Sequence, residues 1–265
     1  MYSKYQLTAK YLRYFLNAHN GKGHGMHSPF VFDFILHVLN NKSGYQPPAS
    51  IAELRQKMLH DPRVLQVQDL GAGSRSGADK QRKVSSIAAH AVKPEKYGEL
   101  LFRLVKHYQP KTIIELGTSL GITTSYLASG NTNAEVHTVE GSPAIAEVAV
   151  ENFRSLGLQN IKAHTGNFDA VLPQLLKVMP IVDFAYVDGN HLYSPTINYF
   201  HVLLEKVHPG SILVFDDIHW SAEMEAAWRE IQQHPDVQCT VDIFFLGFVF
   251  FKKEFRVKQD FLIRF

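Results

Sequence analysis

From Pro110 onward short apolar runs alternate with helical stretches, and this rhythm constrains the fold more than any other feature of the sequence. Thr112 to Leu116 is an apolar run bounded by glycine, and Thr123 to Ala128 starts a helix. Glu135 to Val139, Ile161 to His164, Phe184 to Val187 and Ser211 to Phe215 read as further strands. Helices are expected at Ala144 to Leu156, Phe168 to Val178, Ser194 to Val207 and Ala222 to Gln232. Strands that alternate with helices at this spacing predict a parallel sheet covered on both faces. Thr240 to Phe251 breaks the rhythm. It is strand-like and very apolar with Gly247 near its middle, which predicts two antiparallel strands joined by a tight turn. The expected fold is α/β: a Rossmann-like sheet of seven strands, mostly parallel, with an antiparallel C-terminal hairpin.

The first hundred residues follow a different grammar, of helices joined by polar loops. Tyr5 to Leu16 carries apolar residues at helical spacing, and Ser28-Pro29 supplies a capping hydroxyl followed by proline at a first helical position. That helix should run from Phe30 to about Leu39, with others over Ile51 to Leu59, Lys83 to His90 and Tyr97 to His107. The expected organisation is a helical N-terminal extension, 1–95, capping an α/β domain, 96–265. A formal charge of +2 argues against nucleic acid, which needs a clustered basic face. One cysteine, Cys239, excludes an internal disulfide and a thiolate zinc site. No signal peptide or uncharged membrane span is legible, so a soluble cytoplasmic protein is expected.

The most informative stretch is TIIELGTSLGITTSYLA, Thr112 to Ala128. Gly117 and Gly121 bracket a turn between a buried strand and a helix whose free N–H groups suit a carboxylate or phosphate. Glu140 lies about 20 residues on, at the end of the next strand, where an acid can accept hydrogen bonds from two ribose hydroxyls. Ser119 stands where the dinucleotide fingerprint wants its second glycine. A pyrophosphate needs that close approach and a methionine moiety does not. Thr118, Ser119 and Thr123 offer hydroxyls to an amino-acid carboxylate, which favours S-adenosylmethionine over a dinucleotide. VLQVQDLGAGSRSG, Val64 to Gly77, looks similar by letters, but no second strand with a terminal acid follows it. It reads as a loop of the N-terminal region.

Acids end two later strands: Asp188 after FAYV, and Asp216 with Asp217 after ILVF. In open parallel sheets ligands bind beyond the carboxyl ends of the strands, so these acids should share the crevice of the glycine loop. Three oxygen donors suit a hard divalent ion such as magnesium, which would lower the pKa of a substrate hydroxyl. His191 could take the proton as general base. Acids at strand ends also cap helices, and His24, His27, Tyr193, Phe168 and Trp220 suit packing as well as ligand contact.

Tyr97 to Trp220, about half the chain, resembles the catechol and caffeoyl-CoA O-methyltransferases and related bacterial enzymes that methylate sugars and antibiotics. ELGTSLG is similar to the family's cofactor loop, with Glu115 in it, and HTVEGS to its ribose-binding strand, with Glu140 and Gly141. GNFDAVLPQL resembles the segment bordering the adenine, with Asn167, Phe168 and Asp169. VDGNH and FDDIHW resemble its two metal-bearing turns. The resemblance implies Asp188, Asp216 and Asp217 as metal ligands, Asp188 also at the cofactor, and His191 where plant and animal enzymes place a lysine base. It implies methyl transfer to a small-molecule hydroxyl. Metal-independent transfer to nitrogen or RNA, and non-catalytic cofactor binding, are the alternatives. The aromatic end DIFFLGFVFF suits either burial in the sheet or a homodimer interface.

Overall fold

The computed structural model describes residues 1–42, 44–67, 81–91, 93–255 and 257–265. Along the chain run α1 (Lys4–Asn17), α2 (Pro29–Phe34) with a π-helical continuation (Ile35–Leu39), and α3 (Ala49–Leu59). Next come β1 (Val64–Gln66), β2 (Gln81–Lys83), α4 (Val84–Ala91) and α5 (Glu95–Tyr108). The alternating part follows: β3 (Thr112–Leu116), α6 (Ile122–Gly130), β4 (Glu135–Glu140), α7 (Pro143–Ser155), β5 (Ile161–Thr165), α8 (Phe168–Val178), β6 (Phe184–Val187), α9 (Tyr193–Leu204), β7 (Ile212–Asp216) and α10 (Ala222–Gln233). β8 (Cys239–Asp242), β9 (Leu246–Phe250) and β10 (Gln259–Leu262) close the chain. Two compact units emerge, one of residues 1–40 and 175–265, the other of residues 41–174.

In the second unit β3 pairs with β4 and β4 with β5, all parallel, as the alternation predicts. Ile113, Ile114 and Leu116 of β3 and Val136 and Val139 of β4 are buried. All but Leu116 are β-branched, a shape that suits a strand covered on both faces. α5 is strongly one-sided and buries Leu100, Leu101, Leu104 and Val105. Ile51, Leu54 and Met58 of α3 and Ile87 and Ala88 of α4 join a core with Phe102, Tyr126 and Val148. Residues 64–66 form one edge of a two-stranded antiparallel ribbon with residues 81–83, Leu65 opposite Arg82, where a loop was expected. The glycine-rich loop Gly71 to Gly77 lies outside the described residues.

In the first unit β6 and β7 are parallel, and β9 runs antiparallel to both β7 and β8. The antiparallel hairpin is present, but two of its details differ from expectation. Its turn falls on Phe244, held at φ +74° with its amide donating to Asp242 Oδ1 at 2.8 Å. Gly247 sits inside β9 instead, because Trp228 of α10 packs flat against it: a Cβ there would lie 2.6 Å from the indole ring. β10 adds a further strand to the edge of this unit, in parallel with β8. The aromatic end is buried in this unit's own core, where Phe248 and Phe250 meet Phe34 edge-on. Ser28 caps α2 as expected, its hydroxyl accepting from the Val31 amide. No helix among the described residues is long and apolar enough to cross a membrane.

Candidate functional site

The predicted cofactor residues of the second unit gather around the end of β3. The chain leaves β3 through Gly117, at φ +107°, whose amide donates to Val139 O at 2.9 Å and ties the turn to β4. Gly121 then starts α6 with φ +78°, and a Cβ at this position would lie 2.4 Å from the Phe153 ring. Both constraints demand glycine. With Gly121 as N-cap, no side chain caps α6, and the uncapped amides of a helix's first turn suit an anion. Ser119, itself at φ +48°, donates its amide to Glu140 Oε2 at 2.8 Å. The other oxygen of Glu140 accepts from the Ser142 amide at 3.0 Å, which fixes the carboxylate just beyond β4 and the half-buried Gly141.

The expected contacts divide by burial. Ser119, Thr123 and Glu140 are partly exposed and able to meet a ligand. Glu115 and Thr118 lie beneath them. Glu115 is fully buried, and its Oε2 accepts from Thr138 at 2.6 Å and from Thr124. The Thr118 hydroxyl bonds that of Thr138. These hydroxyls lock the turn to β4 from behind, a buried network in which each bond supports the next. Thr138 and Thr124 escaped sequence reading, although Thr-x-Glu alternation places Thr138 and Glu140 on one face of β4. Beyond β5, Asn167 Oδ1 accepts from the Asp169 amide at 2.8 Å and caps the start of α8. Asn167 and Asp169 are exposed and Phe168 is half-buried.

The acids lie in the first unit. Tyr186, buried in β6, donates to Asp216 Oδ2 at 2.7 Å and lies 3.3 Å from Asp188 Oδ2, so its hydroxyl stands between the two carboxylates. The Asp217 amide donates to Asp216 Oδ1 at 2.7 Å and turns back at φ +52°. His191 Nε2 lies 3.4 Å from Asp188 Oδ1. Asn190, His191 and Asp217 all hold positive φ, a cost of the kind that clusters at functional sites. Burial pulls the His191 pKa down. The bond to Asp188 and the charges of Asp217, Asp188 and Asp216 outweigh it and hold the imidazole up at about 9.

As donors, three carboxylates suit a hard cation. The Tyr186 hydroxyl, within hydrogen-bond reach of both, stands between Asp188 and Asp216. Tyr186 could have been found from FAYVD, where residues two apart share a face of the strand.

A second histidine, His219, was also missed. Its Nε2 lies 2.8 Å from Asp242 Oδ2 and its Nδ1 3.2 Å from Glu225 Oε1, and it stacks on Phe244. Its signal was its place two residues after Asp217. His24 and His27 are exposed, and Tyr193 spends its hydroxyl on Glu230.

A glycine turn that opens an uncapped helix is thus followed by a strand-end carboxylate in an α/β sheet. Residues 114–218 match the family model described as a methyltransferase domain. The chain is 31% identical over 138 residues to a catechol O-methyltransferase of Niastella koreensis, covering 51% of this chain and 61% of that protein's length. The SAH-bound Podospora anserina methyltransferase PaMTH1 is similar in fold, with a TM-score of 0.60 at 13% identity over 96% of this chain and 98% of the other. The O-methyltransferase from Bacillus cereus in complex with SAH gives 0.52 at 23% identity over 60% and 82%. The chain resembles the class I S-adenosylmethionine-dependent methyltransferases, and within them the O-methyltransferases.

Proposed function

We propose that this chain transfers the methyl group of S-adenosylmethionine to a hydroxyl oxygen of a small molecule. The observation that carries the reading is the second unit's turn, an uncapped helix start with Glu140 fixed beside it by the Ser119 amide. In this reading the methionine carboxylate lies on the first amides of α6 with the Ser119 and Thr123 hydroxyls. Glu140 takes the ribose hydroxyls, and Asn167, Phe168 and Asp169 border the adenine. The cofactors named for the two solved structures support it.

The acceptor oxygen forms a bond to the methyl carbon as the sulfur–carbon bond breaks. S-adenosylhomocysteine leaves and the hydroxyl proton is lost. In the first unit the Asp188–His191 pair is the place for that proton. The imidazole keeps its own proton up to about pH 9, so its capacity as a base grows toward that value. Turnover should climb from neutral pH toward about 9, and the climb should vanish in His191→Gln. That variant should also lose about a hundredfold or more in turnover while its affinity for S-adenosylhomocysteine is kept. Unchanged turnover would remove His191 from the mechanism.

No step here runs through a metal, because the Tyr186 hydroxyl stands between Asp188 and Asp216. Activity in a screen of hydroxyl acceptors should survive a chelator. Loss of activity restored by magnesium would return the three acids to the role of ligands.

A further inference from the structure

α1 has two apolar faces, and the first unit uses only one of them. Leu7, Tyr11 and Tyr14 pack against Phe244 and Phe245, while Lys10 is held by Glu225 at 2.9 Å. The Tyr2 amide donates to Trp220 O at 3.1 Å, and the Tyr14 hydroxyl to Ile263 O. On the other side Tyr5, Ala9, Leu12 and Leu16 follow the spacing of a continuous stripe, and all four are exposed. Tyr5 is 90%, Leu12 57% and Leu16 77% exposed. That is far more apolar surface on one helix than scattered surface residues require.

Charge selects what would cover this stripe. Lys4 and Arg13 flank it, Arg264 lies over the Phe15 ring beside it, and the sequence has no acid before Asp33. A second copy meeting the stripe through its own α1 would bring cation against cation. An anionic lipid surface meets both needs, with apolar side chains entering the acyl boundary and lysine and arginine at the headgroups. We propose that α1 docks the protein in the plane of an anionic membrane surface through Tyr5, Leu12 and Leu16. Because the inner face is bolted to the first unit, α1 is presented already folded, so docking carries little ordering cost.

Sedimentation of the full chain with vesicles tests this. Vesicles of phosphatidylcholine mixed with phosphatidylglycerol should bind about tenfold or more tighter than phosphatidylcholine alone, and salt should weaken the binding. Leu12→Glu combined with Leu16→Glu should lose about tenfold or more of it with an unchanged melting transition, because both side chains are exposed. Equal sedimentation of the wild type and the double variant, or none with either vesicle, would overturn the proposal. So would a wild-type dimer in analytical ultracentrifugation that the double variant turns into a monomer, since a second copy would then cover the stripe. Titration with S-adenosylhomocysteine is unaffected by any of these outcomes, so failure here leaves the methyltransferase reading standing.

Discussion

At the scale of single residues, a few positions stand where geometry leaves one solution. Gly121 combines a positive φ with a ring 2.4 Å from any added Cβ. Gly121→Ala should cost about 2 kcal/mol or more in denaturant unfolding, and S-adenosylhomocysteine binding should fall with it. Full stability and full binding would mean that the turn is not the rigid seat it is taken to be. Tyr186 is the corresponding position in the first unit. Tyr186→Phe removes the hydroxyl from between Asp188 and Asp216, so the variant should gain binding of manganese, read by electron paramagnetic resonance, that the wild type lacks. Binding by the wild type would contradict the role given to that hydroxyl. Glu115 shows the limit of reading letters. Its place in the motif was plain, but its burial under Thr124 and Thr138 depends on two other elements and is invisible one residue at a time.

At the scale of elements, what was legible had a period. β3 to β7 and their helices repeat apolar positions at strand or helix spacing, and their boundaries fall within a few residues of expectation. What was not legible depended on distant partners. β1 is three residues long and exists through its pairing with β2, seventeen or so residues on; β10 exists through β8. Glycine signals a turn at Gly247, yet Trp228 claims that glycine and Phe244 takes the positive φ.

That turn has a brace, His219 between Asp242 and Glu225, with Lys10 on the far side of Glu225. Burial lowers the His219 pKa, but the bonds and charges of Asp242 and Glu225 raise it above the ordinary value of about 6.5. A raised folded-state pKa gives stability that is full below about pH 6.5 and is lost as pH rises through the folded value. His219→Gln should cost about 1–3 kcal/mol near pH 6, with the gap to wild type narrowing at higher pH. A gap that stays constant with pH would show that the imidazole braces the turn as a neutral group.

At the scale of the whole molecule, the fold class followed from the order of strands, glycines and acids. The part least legible was the first ninety-five residues, whose helices divide between the two units: α1 and α2 pack with the C-terminal hairpin, while α3 and α4 pack against α5, α6 and α7. Helical periodicity names a buried face without naming what buries it, so this division could not be read in advance. The central claim is that the second unit's turn seats S-adenosylmethionine. Its most direct test is calorimetric titration of the protein with S-adenosylhomocysteine, beside the Glu140→Ala variant. Micromolar binding by the wild type, weakened about tenfold or more by the loss of the ribose-facing carboxylate, is the expected result. No binding by the wild type, or equal binding by both, would contradict it.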